Sequence, residues 1–533
     1  MINFKYKGPV GAGKSHNFFH IIEYLCYYTT PQPKELGSDI YDLMSKSALL
    51  LKIMGSVFRT NNVESHCNTL LLSISYSEDN TINSFCIDSN ILDMTLPFSE
   101  NGRSFSILHS LISCANNDIR KNIDLTESET TLNFFEKYLK KIDNKTKEAF
   151  KLKDFEMWTK FHSLLNYFKF EKNEIYDILR LFTLIIHCND APISKKKVGH
   201  NKEEYFLNKT GFLKKLVKNL SIGSETEFTD KFGVYSNIEE LKSGLIKLMK
   251  YTYYIIFEFI KLKINNFISN FFQLKCSQNN NIKKPNKKNK KLYILDMPGQ
   301  VEDQTLGGLI INLANECRFI SSSAHYLSFL EKLEEDHLNI NTFKKLHCVS
   351  LVNALLGKDG LFKLLSKTLP EYFFEYQKTN KIVGVLEFSS NKVDDNEIKP
   401  RDYAFKIKFS EKSNVFNYFA LHTEGKSLIL NRNLIELLNC SKSPVIRCVA
   451  NNLQDYFIES KSLYKVVQSE FIKIFKNIEG INPFVIYSIH SNNSLKYNYF
   501  ESASGKLLSY NLTFNILQKS ITKTKLDGSY LWH

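Results

Sequence analysis

The sequence predicts a large α/β protein in which helix is the majority. A short strand, in which Ile2, Phe4 and Tyr6 alternate, runs into a glycine-rich turn and then into a helix that begins near Lys14. A second buried strand, 292–299, ends in a Pro-Gly turn. Helical spacing of apolar residues dominates 105–270 and returns after Thr305 to about His337. Strands that alternate with helices in this way are typical of the α/β class.

The remaining elements follow from local patterns. The first helix ends before Pro31, because proline cannot continue it. Two apolar runs, 70–77 and 83–89, flank a polar turn and predict a hairpin. The helical region is expected to break at 185–200 and at 220–236, and 276–291 is predicted to be a loop, whereas 484–489 is a strand. No internal repeat is visible.

Composition places the chain among ordinary globular proteins. It has 533 residues, of which 43% are hydrophobic and 24% charged, so it is too long for one simple core. The net charge of +14 favours a polyanionic partner such as nucleic acid, an acidic membrane face or an acidic filament. Six of these charges lie in Lys283–Lys291, which we interpret as a solvated loop.

Cysteine usage and hydropathy indicate the compartment. The ten cysteines form no C-x-x-C pair and no metal-ligand spacing, so reduced thiols in the cytosol are expected. The N-terminus has no apolar run of signal-peptide length. The most apolar stretch, 251–264, is interrupted by Glu258, Lys261 and Lys263, which predicts a buried helix instead of a membrane span.

GPVGAGKS at 8–15 fits the phosphate-loop pattern G-x-x-x-x-G-K-[ST], with a strand before it and a helix after it. Its glycines let successive N–H groups turn toward phosphate oxygens, and the helix adds its positive N-terminal end. Lys14 is expected to reach the β- and γ-phosphates, and the Ser15 hydroxyl to ligate Mg²⁺. The predicted phosphate-binding residues are Gly8, Pro9, Val10, Gly11, Ala12, Gly13, Lys14 and Ser15.

The stretch 7–25, KGPVGAGKSHNFFHIIEYL, resembles the phosphate loop and following helix of the myosin motor head, where G-E-S-G-A-G-K-T precedes a helix ending in I-x-Y-L. Within that family, the proline of DMPG and the segment CANNDIR are most similar to class XVIII myosins. A kinesin would carry S-S-R-S-H and D-L-A-G-S-E, and neither occurs. Further segments resemble the myosin head in the same order: FRTNN (58–62) before switch I, 101–125, 155–190, LYILDMPGQ (292–300) at switch II followed by the relay helix, 360–371, 440–450, NPFVIYSIHSN (482–492), and 505–521 at the thiol-bearing helices.

The resemblance implies a myosin-type P-loop NTPase fold, with a central mixed twisted sheet, a helical majority and a cleft between upper and lower lobes. It implies ATP or ADP with Mg²⁺ as ligands, held also by Asn61, Asn62, Asp296 and Gly299, with Ser15 and Asp296 at the metal. The implied segments are 1–60 (phosphate loop and lead into switch I), 61–275 (switch I and upper lobe), 276–291 (basic loop), 292–450 (switch II, relay helix and lower lobe) and 451–533 (actin-loop equivalent, core strand and thiol-helix region).

The switches depart from the family pattern. When N-x-N-S-S-R is aligned through Arg59, the two serines become Val63 and Glu64 and the arginine becomes Ser65. In switch II the glutamate that pairs with that arginine becomes Val301. Loss of both partners removes the ion pair that positions the attacking water, so hydrolysis is expected to be impaired and no catalytic residue is assigned. Glu64 would either repel the γ-phosphate or ligate Mg²⁺.

The implied function is a cytoplasmic, cytoskeleton-associated motor head that binds nucleotide and associates weakly with actin, since the regions equivalent to the actin loops are not basic. The resemblance also implies that the N-terminal subdomain and the converter lie outside this chain. Two alternatives stay open: an active motor with divergent switches, and a basic P-loop NTPase acting on nucleic acid. No residue lies at a sequence spacing from His20, His325 or His490 that would indicate a catalytic pair. These histidines are expected to be ordinary surface or core residues.

Overall fold

The computed structural model describes about two thirds of the chain. The described residues are 2–7, 14–29, 34–59, 62–93, 102–103, 105–125, 144–189, 191, 193–198, 202–207, 211–232, 235, 237–278, 290–317, 347–357, 359–365, 373, 376–378, 386–388, 403–409, 413–426, 432–449, 463–475 and 483–487. Several predictions fall wholly or partly elsewhere. The turn 8–13, Asn61, His325, His490, most of the basic loop (279–289) and the thiol-helix region 505–521 lie outside the described residues.

Helices make up most of the described structure. They are α1 (Lys14–Thr29), α2 (Lys34–Met54), α3 (Ser106–Cys114), α4 (Asn117–Asn122), α5 (Asn144–Tyr167), α6 (Lys172–Asn189), α7 (Phe212–Asn219), α8 (Glu225–Phe232), α9 (Ile238–Gln278), α10 (306–317), α11 (His347–Leu356), α12 (Leu361–Leu364), α13 (Tyr418–Lys426), α14 (Arg432–Asn439), α15 (444–449) and α16 (Leu463–Phe475).

The strands form one larger sheet and three small ones. They are β1 (Ile2–Lys7), β2 (Ser56–Arg59), β3 (Asn62–His66), β4 (Leu70–Tyr76), β5 (Ile82–Asp88), β6 (Gly102–Arg103), β7 (Ile193–Val198), β8 (Lys202–Leu207), β9 (Lys290–Asp296), β10 (Leu386–Phe388), β11 (Ala404–Lys408), β12 (Ser413–Asn417) and β13 (Pro483–Tyr487). The small sheets have the orders β3-β2-β6, β7-β8 and β10-β11-β12.

The five-stranded sheet has the order β13-β1-β9-β4-β5 and is mixed. Strand β1 lies between β13 and β9 and is parallel to both, with Ile2 opposite Leu292. Strand β4 is antiparallel to β9 and to β5. The predicted α/β class with a helical majority is confirmed, as is the hairpin of β4 and β5.

Strand β4, LLLSISY, is almost continuously buried, which is typical of a strand covered on both faces. On the β5 side it is helix α9 that contacts the sheet, and α1 contacts β9. The predicted buried helix at 251–264 lies within α9, whose apolar residues Ile255, Ile256, Phe257 and Ile260 are fully buried. Among the described residues, no helix is long and apolar enough to cross a membrane.

Some predicted boundaries were wrong. The expected break at 220–236 contains helix α8, and the expected break at 185–200 begins only after Asn189 and is followed by the β7–β8 hairpin. The loop predicted at 276–291 is shorter than expected, because α9 continues to Gln278 and β9 already begins at Lys290. None of the eight cysteines whose side chains the structure describes forms a disulfide.

Candidate functional site

The candidate site lies at the edge of the central sheet where β1 and β9 end. Parallel neighbours present their carboxyl ends at the same edge, and ligands of open α/β sheets bind outside that edge. Strand β1 ends at Lys7 and α1 begins at Lys14, so that the two elements flank residues 8–13 of the phosphate-loop pattern. Asp296 is the last residue of β9 and is completely buried. Sheet topology therefore brings together two segments that are far apart in the sequence.

Ser15 and Asp296 are in direct contact across this edge. The Ser15 hydroxyl oxygen lies 3.0 Å from Oδ2 of Asp296, to which it can donate its hydrogen. The two residues are separated by 281 positions in the chain. The last residue of the phosphate-loop pattern and the acidic residue predicted for switch II thus share one hydrogen bond.

Lys52 supplies a cation to the same carboxylate. It lies in the last turn of α2, and its Nζ is 2.9 Å from Oδ2 of Asp296. The Lys52 side chain is only 11% exposed. Its ammonium group also lies 5.1 Å and 4.8 Å from the ring centroids of Phe18 and Phe19, which α1 contributes. Packing of α1 on α2 therefore fixes a lysine over the end of β9.

His66, the last residue of β3, completes the cluster. Its Nε2 lies 3.1 Å from the Ser15 hydroxyl, and its Nδ1 lies 2.9 Å from the carbonyl oxygen of Asn68. Because a carbonyl only accepts, Nδ1 carries the hydrogen in the neutral ring and Nε2 is an acceptor. The single Ser15 hydrogen therefore has two acceptors, Nε2 of His66 and Oδ2 of Asp296.

The loop after β3 is held by Asn68, which is completely buried. Its Nδ2 donates to the carbonyl of Leu51, at 3.1 Å, and to the hydroxyl of Ser89, at 2.9 Å. Gly55 permits this arrangement, because a Cβ atom there would lie 2.0 Å from Oδ1 of Asn68. Asn68 thus links the end of α2, which carries Lys52, to the strand that carries His66.

The electrostatics of the cluster favour an Asp296 carboxylate paired with a Lys52 ammonium. Burial alone would raise the pKa of Asp296, but Lys52, His66 and Lys14 outweigh it, so that the pKa is lowered. Burial lowers the pKa of Lys52, and Asp296 opposes that effect. Burial lowers the pKa of His66 to about 4, so its ring is neutral at pH 7. Oδ1 of Asp296 receives no hydrogen bond from the described residues.

The chain after Asp296 is held by asparagine side chains. Asn312 of α10 accepts from the N–H of Val301 at 2.8 Å and donates to its carbonyl at 2.9 Å. Asn315 donates to the carbonyl of Pro298, and Asn414 to that of Val301. Gln300 donates to Glu316 at 2.7 Å, and both side chains are buried. Side-chain hydrogen bonds from α10 and β12 therefore hold this segment.

No protein-family model matches the chain, and no curated protein matches it.

The structure places the predicted residues as follows. Lys14 is buried at the start of α1, close enough to Asp296 and His66 to influence the pKa of both. Gly299 is buried in the turn after β9, and Asn62 begins β3. Ser65 is buried and pairs with Val57 of β2. Gly8, Pro9, Val10, Gly11, Ala12, Gly13 and Asn61 lie outside the described residues.

The residue of β3 described in contact with Ser15 is His66, two positions after Glu64. Cys67, the next residue, is completely buried. After β9, Val301 is buried and Glu302 is exposed.

Lys52 and His66 were not predicted as site residues. The only signal for Lys52 is its position as the one charge in the apolar run ALLLKIM. Charged residues rarely enter such runs unless they find a partner. No feature of the sequence indicated His66 as a site residue, because the alignment placed it one residue after Ser65, the position of the switch I arginine.

The residues present do not fit a resident Mg²⁺ ion. Mg²⁺ prefers oxygen ligands in octahedral geometry, but His66 offers a nitrogen where the resemblance implies a hydroxyl. Oδ2 of Asp296 is already shared by Lys52 and Ser15.

Proposed function

We propose that this protein binds the phosphates of ATP or ADP at the turn 8–15 and that it is a myosin-like head with weak or no hydrolysis. The observation that carries the proposal is the 3.0 Å contact between Ser15 and Asp296 on the neighbouring parallel strand. In P-loop NTPases the Ser or Thr of the loop and an Asp from a nearby strand act together at the bound nucleotide. A glycine-rich turn that binds no phosphate would not require a buried aspartate in contact with its last residue.

The cations around the cluster support an anionic ligand. Lys14 and Lys52 are both largely buried, and Asp296 is the carboxylate that both of them influence. Buried cations require compensating negative charge, because desolvation is costly for an unpaired ion. A phosphate group at the N-terminal end of α1 would add negative charge beside these two cations.

Two observations support weak hydrolysis. The switch II position that carries glutamate in myosins is Val301, which is buried and bonded through its backbone to Asn312. In the alignment through Arg59, Ser65 stands in place of the switch I arginine. Phosphoryl transfer depends on positioned charge around the attacking water, so loss of both side chains removes a large part of the rate.

Nucleotide binding is tested with a fluorescent ATP analogue and the Lys14→Ala variant. We expect the wild-type chain to bind and Lys14→Ala to lose binding. Lys46→Ala is the matched control, because Lys46 lies on α2 in a surface pair with Asp42. Equal binding by wild type and Lys14→Ala would show that the loop does not hold phosphate.

Association with actin filaments and a cytoplasmic, cytoskeletal location belong to the same proposal and rest on the resemblance alone. Sedimentation with filamentous actin at low and at physiological salt tests the first point. Phosphate release measured with and without actin tests the proposal of weak ATP hydrolysis. Turnover at ordinary myosin rates would refute weak hydrolysis and favour an active motor with divergent switches.

A further inference from the structure

We propose that Lys52 takes the place of the divalent cation at this site, so that the protein binds nucleotide without Mg²⁺. The inference rests on the proposed nucleotide-binding function. It concerns which cation lies beside the acidic residue at the end of β9. The resemblance implies a Mg²⁺ ion there, whereas the structure has a lysine ammonium group.

Lys52 is positioned by three independent contacts. Its ammonium group lies 2.9 Å from Oδ2 of Asp296, and the rings of Phe18 and Phe19 lie within 5.1 Å on the α1 side. The rest of its turn is anchored by the hydrogen bond from Asn68 to the carbonyl of Leu51. A lysine held in this way is a fixed charge in the site instead of a mobile surface group.

The ammonium group has bonding capacity that the protein does not use. Lys52 has three N–H donors, and the contact with Asp296 is its only ion pair with a described carboxylate. Its Nζ is buried, with no further hydrogen-bond acceptor among the described residues. Oδ1 of Asp296 is also buried without a donor in that part of the chain. Asp296, the partner of Lys52, also contacts Ser15, the last residue of the phosphate-loop pattern.

Charge balance argues against adding a metal ion. The Lys52 ammonium group already lies 2.9 Å from Oδ2 of Asp296, and His66 is neutral. A divalent cation would bring two more positive charges beside Lys52 and would compete with it for Oδ2. The nucleotide phosphates, by contrast, meet a preformed pair of cations on two different helices. The ammonium group therefore neutralises phosphate charge without a bound metal.

The test is a titration of the full chain with a methylanthraniloyl-labelled ADP, in Mg²⁺ and in excess EDTA. We expect the wild-type dissociation constant to change by no more than about threefold between the two conditions, since no metal-mediated contact is lost. We expect Lys52→Met, checked for folding by circular dichroism, to bind about 10- to 100-fold more weakly in EDTA, as loss of a charge-assisted contact requires. Lys46→Met is the control and should match wild type in both buffers.

The outcomes separate this inference from the proposed function. Binding by wild type in Mg²⁺ that falls about 100-fold in EDTA overturns the role of Lys52 and leaves nucleotide binding intact. Unchanged binding by folded Lys52→Met in EDTA also overturns that role. A folded wild-type chain that binds the analogue in neither buffer refutes both proposals. The wild-type comparison needs no variant, so it decides the question even if Lys52→Met does not fold.

Discussion

Removal of the Lys52 charge should destabilise the protein strongly at neutral pH and less strongly in acid. At the 2.9 Å separation of Nζ and Oδ2, the attraction is about 6 kcal/mol at an effective dielectric constant of roughly 20. Part of this energy is offset by the desolvation of both ions. Removing one partner of a buried pair therefore costs about 3–5 kcal/mol, because it leaves an uncompensated buried charge. Lys52→Met should lose about that amount of unfolding free energy.

The pKa of Asp296 determines how the stability deficit of Lys52→Met changes with pH. In the wild type the pKa of Asp296 is lowered, so the carboxylate stabilises the fold above its unfolded pKa, and this contribution is lost as pH falls through the folded pKa. In Lys52→Met burial acts without the lysine and raises the pKa of Asp296. The folded variant then binds a proton more readily than the unfolded chain, so its deficit relative to wild type shrinks as pH falls.

The assay is urea unfolding of wild type, Lys52→Met, Asp296→Asn and the double variant, at pH 7.5 and at pH 5. The double variant should recover much of the loss, since it buries no unpaired charge. Lys46→Met is the control, because its pair with Asp42 is 2.7 Å long but half exposed, and such pairs contribute about 0–1 kcal/mol. A Lys52→Met deficit below about 1 kcal/mol, or one that is equal at both pH values, would refute the reasoning.

Three further predictions concern the surroundings of the site. Asn312→Leu should cost about 1–3 kcal/mol, because the buried N–H of Val301 loses its acceptor; the shift of the urea midpoint measures this, and an unchanged midpoint would contradict it. Gly55→Ala should lower the melting temperature, with a cost of about 1–3 kcal/mol, because its Cβ would overlap the side chain of Asn68; a Gly55→Ala protein as stable as wild type would show that Asn68 can move without cost. Burial lowers the pKa of His187, so the unfolded chain binds the proton first and wild-type stability should fall as pH drops below about 6.5. His187→Gln should flatten that slope in unfolding curves between pH 7 and pH 5, and an identical slope in both proteins would exclude His187 as the source.

The local elements of the site were predictable because their signals are short-range. Alternation of apolar residues predicted β1, and the glycine turn and proline stop predicted α1 on either side of the phosphate-loop pattern. The buried strand β9 was predicted from its apolar run, whereas Asp296 was predicted as a site residue only from the resemblance to the myosin switch II segment. Helix and strand boundaries failed where polar sequence is helical, as at α8, because the packing of Phe228 and Phe232 into the core outweighs local polarity.

The contact between His66 and Ser15 could not be obtained from the sequence. The segment around β3 has no strong periodicity that would indicate which of its side chains lies at the site. Pairing of β3 with β2 and the anchor at Asn68 place His66 in contact with Ser15. These contacts are long-range, and no pattern within the segment reports them.

The sequence by itself determined that a phosphate-loop pattern lies between a strand and a helix and that a second buried strand ends in an acidic residue. Only the tertiary structure decided which cation accompanies Asp296. Lys52 is 244 positions away along the chain, and its role follows from the packing of α2 on α1 and of α1 on β9. A charge within an apolar run indicates that a partner exists, but the identity of that partner depends on which elements the fold places side by side.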